Sequence, residues 1–524
     1  MDKESSTESF TKIACSELAA EINSRNMFEK NKNGRPLFIA CSGGGGHIAA
    51  INAIIASYNP SALTTHTPVP YKKKAPSFAR ISIFAASYLN YSSLIKNYTK
   101  VYGLPVLPNK DELVVAIDEL EAANKTSRAY IDMLLDVYPS GYESAAIWNV
   151  LQRQDEKEEL TKLVKLQSSN DEYFFTYVSN FFLQKLNAAA EESTPYTEII
   201  STQAIGLPAL CDAVKKYNKQ KKYPRILIDQ YMTDLPTKGA VHFFNALATL
   251  PPDSQACMSI HAVNMNETII SHFFPNGCLF NKLYNIEPKK NPMIRKGFCL
   301  ENDNSQRFDQ PVIIKNEKDG SNLEIIANEK VASIMLGSQA GADTEKYIDI
   351  LLNHNIQTLF VFCGSNTALK NKLIKKYESN LDKIILLGNQ DDSFISSVMT
   401  RSNILIIRAG GLSVMEQMAM NHNDDQIIMI HHAVSESYSQ ESPVEICKGS
   451  NETVTYEELS EPEMLQSGIS WEDDNADLLI KILKPINIIK TSTYDATGQL
   501  QTLLAEDNHT DKCHTLACLP RGLV

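Results

Sequence analysis

Apolar residues along the chain fall into two alternating patterns. Short continuous apolar runs predict buried strands, and apolar positions at three- and four-residue spacing predict helices. Pro36–Ala40 predicts a strand and Ile48–Ala56 the helix after it. A loop follows from Asn59 to Pro70, in which Thr64–Thr67 has the look of a short strand. From Ser77 to Ala190 no run reads as a buried strand. Ile81–Ile95, Asp111–Ala123, Ser127–Val137, Glu143–Leu151, Glu156–Leu166 and Tyr173–Asn187 all predict helices. The alternation resumes with strands at Thr197–Ser201, Arg225–Asp234 and Cys257–Val263, and a helix at Leu207–Tyr217. A polar, proline-bearing stretch at Pro288–Pro292 then precedes a second run. Its strands are predicted at Val331–Gly337, Thr358–Cys363, Lys383–Leu387, Asn403–Ile407 and Gln426–His431. Helices are predicted between them at Thr344–Leu352, Asn366–Tyr377, Ser393–Met399 and Leu412–Met420. Repeated strand–helix alternation implies an α/β protein with parallel sheets and sites at the carboxyl ends of strands.

The 524 residues exceed one ordinary core. The pattern divides them into an extension over 1–33, with a helix expected at Ile13–Ile22, and a first α/β half over 34–292. A helical insertion interrupts that half at about 71–195. A second α/β half covers 293–490 and a tail 491–524. The net charge of −12 argues against broad nucleic-acid binding. Ten cysteines without a Cys-x-x-Cys pair read as buried thiols in a reducing compartment. Cys513, His514 and Cys518 make too thin a ligand set for a metal in a tail. Met1–Ser6 is polar and starts no secretory signal, and no apolar run is long enough to span a bilayer. A cytoplasmic protein, soluble or peripheral to a membrane, is expected; export without a cleaved signal is compatible with this.

Two glycine turns carry the candidate chemistry. The first, Cys41-Ser42-Gly43-Gly44-Gly45-Gly46-His47, joins the first strand to its helix. It lacks the spacing of a dinucleotide fingerprint and the Lys-Ser/Thr of a P-loop. It ends on a histidine, which can take up a proton near neutral pH. A satisfied histidine at a helix start would look the same. The second turn lies in Ser402–Glu416, where a strand runs through Arg408, Ala409, Gly410 and Gly411 into a helix. Amides at such a helix N-terminus suit a diphosphate. A carboxylate one turn in, at Glu416, can accept two hydrogen bonds from a ribose diol.

The run Arg408-x-Gly410-x-Leu412-Ser413-Val414-x-Glu416 resembles the nucleotide-sugar motif of MurG-type glycosyltransferases. The first loop, with Ala49 and Ala50 after His47, is similar to that of the diacylglycerol glycosyltransferases, the monogalactosyldiacylglycerol synthase-like branch. Met232–Leu235 resembles their Thr-Asp element, and Asn291-Pro292 their domain crossover. Leu336–Ala342 resembles a Gly-Ser-Gln-Gly-Ala loop, and Phe362–Asn366 a Cys-Gly-x-Asn strand end. These segments occur in the family's order, over residues 36–58 and 197–430.

The resemblance implies the GT-B fold: two Rossmann-like domains facing across a cleft, here with a large helical insertion in the N-terminal one. It implies inverting, metal-independent transfer of a hexose or N-acetylhexosamine from a nucleotide sugar, most simply a UDP-sugar, to a hydroxyl, with no cofactor. His47 would be the general base or a stabiliser of the reacting centre, and Asp234 would be catalytic or face the acceptor. Gly44, Gly46, Gly337, Ser338, Gln339, Arg408, Gly410, Gly411, Leu412, Ser413, Glu416 and Gln440 would bind the donor. The rivals are a nucleotide-sugar epimerase or hydrolase on the same fold, and a degenerate GT-B protein that only binds partners.

The chain departs from the family after the strand at 426–431. Ser439–Val444 keeps a Gln and a Glu but not the expected Asn. Residues 450–477 then carry Glu452, Glu457, Glu458, Glu461, Glu463, Glu472, Asp473, Asp474 and Asp477, and no Lys or Arg. This reads as a solvated acidic loop, or as a docking surface for a basic partner. On the acceptor side, Tyr71–Lys74 is basic and Phe78–Ile95 is aromatic and apolar. That pairing fits a core helix of the insertion, or peripheral contact with anionic lipid through 71–95. A lipid-linked acceptor, a protein and another soluble acceptor all stand open.

Overall fold

The computed structural model describes residues 35–57, 108–127, 132–137, 141–154, 174–237, 244–299, 308–315, 322–432 and 487–492. Within these ranges there are short gaps, and a few isolated residues between 156 and 163 are also described. The expected elements at Ile13–Ile22, Thr64–Thr67 and Ile81–Ile95 lie outside the described residues. So do the basic cluster, Gln440, the acidic segment 450–477 and most of Glu156–Leu166.

Among the described residues, two six-stranded, fully parallel sheets form the main body. The first contains β1 (Pro36–Ala40), β2 (Met133–Leu135), β3 (Glu198–Ser201), β4 (Ile228–Tyr231), β5 (Met258–Val263) and β6 (Lys282–Ile286), in the order β2-β1-β3-β4-β5-β6. A two-stranded antiparallel hairpin follows, β7 (Val312–Lys315) with β8 (Asn322–Ile325). The second sheet contains β9 (Val331–Met335), β10 (Thr358–Gly364), β11 (Ile384–Gly388), β12 (Ile404–Arg408), β13 (Ile427–His432) and β14 (Asn487–Ser492). Its order is β11-β10-β9-β12-β13-β14. These are the two doubly-wound orders, flavodoxin-like in the first sheet and dinucleotide-fold-like in the second. The chain is therefore built of two Rossmann-like domains. The central strands are buried on both faces, as in Leu37–Ala40 and Leu405–Ile407, which is why they read as unbroken apolar runs.

Helices α1 (Gly46–Ser57), α2 (Lys110–Ser127), α3 (Gly141–Gln154), α4 (Phe175–Glu191), α5 (Leu207–Lys219) and α6 (Glu267–Phe273) accompany the first sheet. The second carries α7 (Thr344–Leu352), α8 (Thr367–Lys376), α9 (Asp392–Arg401) and α10 (Gly411–Ala419). α2 and α3 pack on each other through Leu113, Ile117, Ala146 and Val150, a small core of their own.

The expectation of a purely helical stretch between 77 and 190 is corrected by β2. Residues 133–135 pair in parallel with Phe38–Ala40 at the edge of the first sheet. A strand of Met-Leu-Leu has good helix formers and is too short to show a period. Its conformation comes from its neighbour, β1. β6, the β7–β8 hairpin and β14 were also not anticipated. The alternation in Lys282–Ile286 is brief, and β14 runs two residues past the boundary expected at 490.

Arg401, at the end of α9, is fully buried. Its guanidinium donates to the carbonyls of Ile326 (3.0 Å), Phe308 (3.4 Å) and Glu329 (3.5 Å), and so ties the hairpin to the second domain. Burial holds its pKa below the ordinary guanidinium value. Arg401→Met keeps the length but strands these acceptors. It is expected to cost about 2–3 kcal/mol in denaturant unfolding, and an unchanged midpoint contradicts this role.

Candidate functional site

In a doubly-wound sheet, ligands bind outside the carboxyl ends of the strands, where the strand order reverses. The first sheet reverses between β1 and β3, and the second between β9 and β12. Both glycine turns leave a strand at such a point.

After β1, Gly44 (φ 72°) and Gly45 (φ 79°) take the left-handed conformation that lets the chain turn directly into α1. The loop is held from below by residues of the stretch expected to be an insertion. Asp136, just beyond β2, accepts from Ser42 N (2.9 Å) and Ser42 Oγ (2.6 Å). Asn149 of α3, buried, accepts from Gly44 N at 2.9 Å. Trp148 lies so close that a Cβ on Gly44 would meet its indole nitrogen at 3.0 Å.

His47 is half-buried at the start of α1. Its Nδ1 lies 2.6 Å from the carbonyl oxygen of Thr202, the residue after β3. A carbonyl only accepts, so Nδ1 carries the proton and Nε2 of the neutral ring keeps its lone pair. Among the described residues nothing hydrogen-bonds to Nε2. The Thr202 hydroxyl returns a bond to the His47 carbonyl at 3.1 Å, which fixes backbone and ring together. Thr233 Oγ1 stands 3.1 Å from Nδ1 and 3.4 Å from Asp234 Oδ2, toward which its proton is directed. Cys41 is no rival nucleophile. Burial, and then the Asp136 charge, push its thiol well above the ordinary range.

In the second domain, β9 ends in a loop whose shape depends on the Phe362–Asn366 strand end. Ser365 N and Ser365 Oγ donate to the Ser338 carbonyl at 3.0 and 3.2 Å. Asn366 donates to the Gln339 carbonyl at 3.0 Å while capping α8. Gly364 (φ 56°) is required there, because a Cβ would lie 2.1 Å from the Ser338 oxygen. β12 ends at Arg408, and the N-cap of α10 is Gly410, which has no side chain to bond the first-turn amides. Leu412 and Ser413 are half-buried. Positions that would be filled by a Cβ on Gly337, Gly410 or Gly46 have open space around them.

The two switch points meet. Ser338 Oγ donates to the Gly44 carbonyl at 2.9 Å. Gly411 approaches so closely that a Cβ there would sit 2.4 Å from Thr233 O and 3.0 Å from Asp234 Oδ1. His47, Asp234, Ser338, Gln339, Gly410 and Gly411 are thus brought together where the loops of the two domains meet.

Two expected donor contacts are placed differently. Gly44 has both its amide and its carbonyl engaged, so it serves as a joint and has no amide left for a phosphate. Glu416 is 2% exposed, and both its oxygens take a fork from Arg295, Nε at 2.8 Å and Nη2 at 3.0 Å. Arg295 comes from the crossover that begins at Asn291-Pro292, with its guanidinium 4.7 Å over the Phe298 ring. One lone-pair direction per Glu416 oxygen is left for a diol.

Sequence reasoning also missed Thr202, Asp136, Asn149 and Arg153. Only Thr202 had a signal, as a polar residue directly after a buried strand. Among the described residues, no three His, Cys, Asp or Glu side chains gather as a metal site. No helix among them is long and apolar enough to cross a membrane.

No family model matches the chain, and no curated protein matches it. Among solved structures, it is similar to a UDP-glucosyltransferase from Polygonum tinctorium capable of glucosylating indoxyl, in complex with 3,4-dichloroaniline. That match has a TM-score of 0.35 and 10% identity, and covers 90% of this chain and 98% of the other. Sucrose-phosphate synthase from Thermosynechococcus elongatus matches with a TM-score of 0.28 and 8% identity, over 65% of this chain and 80% of the other. Anabaena HepE in complex with UDP matches with a TM-score of 0.27 and 10% identity, over 77% and 96%. At these scores the likeness is one of loose overall shape, and the fold stands on its own strand order.

Removing the Glu416 carboxylate leaves the Arg295 charge without its partner in a mostly covered site. Glu416→Ala is therefore expected to destabilise the chain by about 2–3 kcal/mol without any nucleotide present, less than for a fully buried pair. Denaturant unfolding checks this. A loss confined to nucleotide binding would assign Glu416 to the ligand alone.

Proposed function

We propose that the chain is a glycosyltransferase that moves a sugar from a nucleotide-sugar donor, a UDP-hexose or UDP-N-acetylhexosamine, to a hydroxyl acceptor. One observation carries the reading. His47, held through Nδ1 by the Thr202 carbonyl, stands in the same meeting of loops as the glycine-started N-terminus of α10.

In this reading the donor diphosphate lies against the amides of Leu412 and Ser413 and the loop of Gly337, Ser338 and Gln339. The acceptor hydroxyl gives its proton to His47 Nε2 as its oxygen attacks the anomeric carbon. The bond from that carbon to the diphosphate breaks, and its electron pair leaves with the diphosphate. One in-line displacement inverts the anomeric centre, and one base is sufficient for it. The α10 amides and Arg408 meet the charge on the leaving group, so the step calls for no metal. Asp234, linked to His47 through Thr233, supports the imidazolium that forms. Glu416, steadied by Arg295, receives the ribose through its remaining lone pairs.

The acceptor side is formed by the first domain. A lipid-linked acceptor, reached by a peripheral protein through residues 71–95, fits the composition of that segment. A protein acceptor is the second reading.

The test is a thermal-shift screen of nucleotide sugars followed by transfer assays. A UDP-sugar at a hundred times its Kd is expected to add about 2.7 kcal/mol of stability. No shift with any nucleotide sugar refutes the proposal. Donor epimerisation or hydrolysis without transfer supports the sister enzyme classes, and binding without turnover supports a degenerate binding protein. His47→Ala is expected to keep the donor-induced shift while transfer falls about 10²–10⁴-fold. Unchanged transfer removes His47 from the chemistry.

A further inference from the structure

The stretch between β1 and β3 does more than decorate the first domain. α3 lies along the glycine loop through Ala145, Trp148 and Asn149, at helical spacing of three and four. One turn beyond Asn149 the same helix carries Arg153 across to the other domain. Arg153 Nε donates to Gln339 Oε1 at 2.7 Å. Its Nη2 pairs with Glu119 of α2, whose other oxygen accepts from Thr367 Oγ1 of the second domain at 3.3 Å. The Arg153 side chain is 13% exposed, and Nη1 has no partner among the described residues.

We propose that Arg153 is a diphosphate-binding residue, supplied by the first domain to a ligand held mainly by the second. This rests on the reading that the Ser338–Gln339 loop faces the donor diphosphate. A planar guanidinium offers several donors in a fork that matches phosphate oxygens, and it keeps its charge at every relevant pH. Here one edge is engaged by Gln339, a residue of that loop, and among the described residues Nη1 is left to donate. Glu119 holds the group in position while the cleft is empty, at the cost of partly neutralising it. A nucleoside diphosphate carries more charge than one carboxylate and competes for the same fork. Because Arg153 belongs to the first domain, the diphosphate then bridges the two halves. The electrostatics of the leaving group thus depend on the closed arrangement.

The experiment is calorimetric binding of UDP and of uridine, with GDP and guanosine as the second pair, to the full chain and to Arg153→Gln and Arg153→Lys. Arg153→Gln is expected to weaken the diphosphate roughly ten- to a hundredfold while nucleoside binding is unchanged. Arg153→Lys should restore part of the loss. Unchanged diphosphate binding overturns the proposal. So does an equal loss of nucleoside and diphosphate, which would assign Arg153 to joining the domains. A wild-type chain that binds neither UDP nor GDP overturns the donor reading itself, and this inference with it. The thermal midpoint of each variant, measured without nucleotide, separates lost contact from lost fold.

Discussion

The close meeting of two backbone loops governs this molecule. Ser338 of one domain hydrogen-bonds to the carbonyl of Gly44 in the other, and Gly411 touches the backbone at Thr233. Side chains at Gly45 or Gly411 would hold these loops apart. A Cβ on Gly45 would lie 2.6 Å from Ser338 Oγ. The glycines therefore have a second task besides leaving room for a ligand. They let two crevices, each at the carboxyl ends of a parallel sheet, become one cleft. An apolar cluster runs under this meeting, from Ile51 and Ile54 of α1 through Leu235, Met293 and Phe298 to Val414 and Met415 of α10. The polar contacts are thus mounted on a continuous packed base.

Within that cleft the domains have different kinds of chemistry. The first presents a titratable ring whose tautomer is set by a backbone carbonyl. The second presents a helix that starts on glycine and a loop braced by Ser365 and Asn366. Under the proposed function, the first wall would supply the base and the second the anion site that group transfer from a diphosphate requires. The connecting stretch, from Asn291 to Phe298, adds Arg295 to the second wall. The α2–α3 pair adds Arg153 to the same region from the first domain. Both basic groups reach the cleft from segments outside the glycine motifs.

The α/β alternation of both halves was legible because parallel strands buried on two faces are unbroken apolar runs. Leu405–Ile407 and Phe360–Phe362 are examples. The two glycine turns were legible because glycine between a strand and a helix has few other uses. β2 was not, since three residues have no period and only pairing with β1 makes them a strand. Glu416 illustrates another limit. Its place one turn into α10 followed from the sequence, but the arginine that occupies it lies 121 residues away. No local pattern reports such a partner.

By itself, the sequence determined most of the strands and helices in the core, though not β2 or β6. It also determined where the chain turns on glycine, and that His47 begins a helix. Local sterics and hydrophobic periodicity act over a few residues, so they are readable in order along the chain. Tertiary structure alone decided what each of these residues does. It set the proton on His47 Nδ1 by bringing Thr202 across 155 residues. It turned Gly44 into a joint, and it placed Asp136, Asn149 and Arg153 around the loop. Hydrogen bonds and ion pairs are made between neighbours in space, and strand order, more than chain order, sets those neighbours.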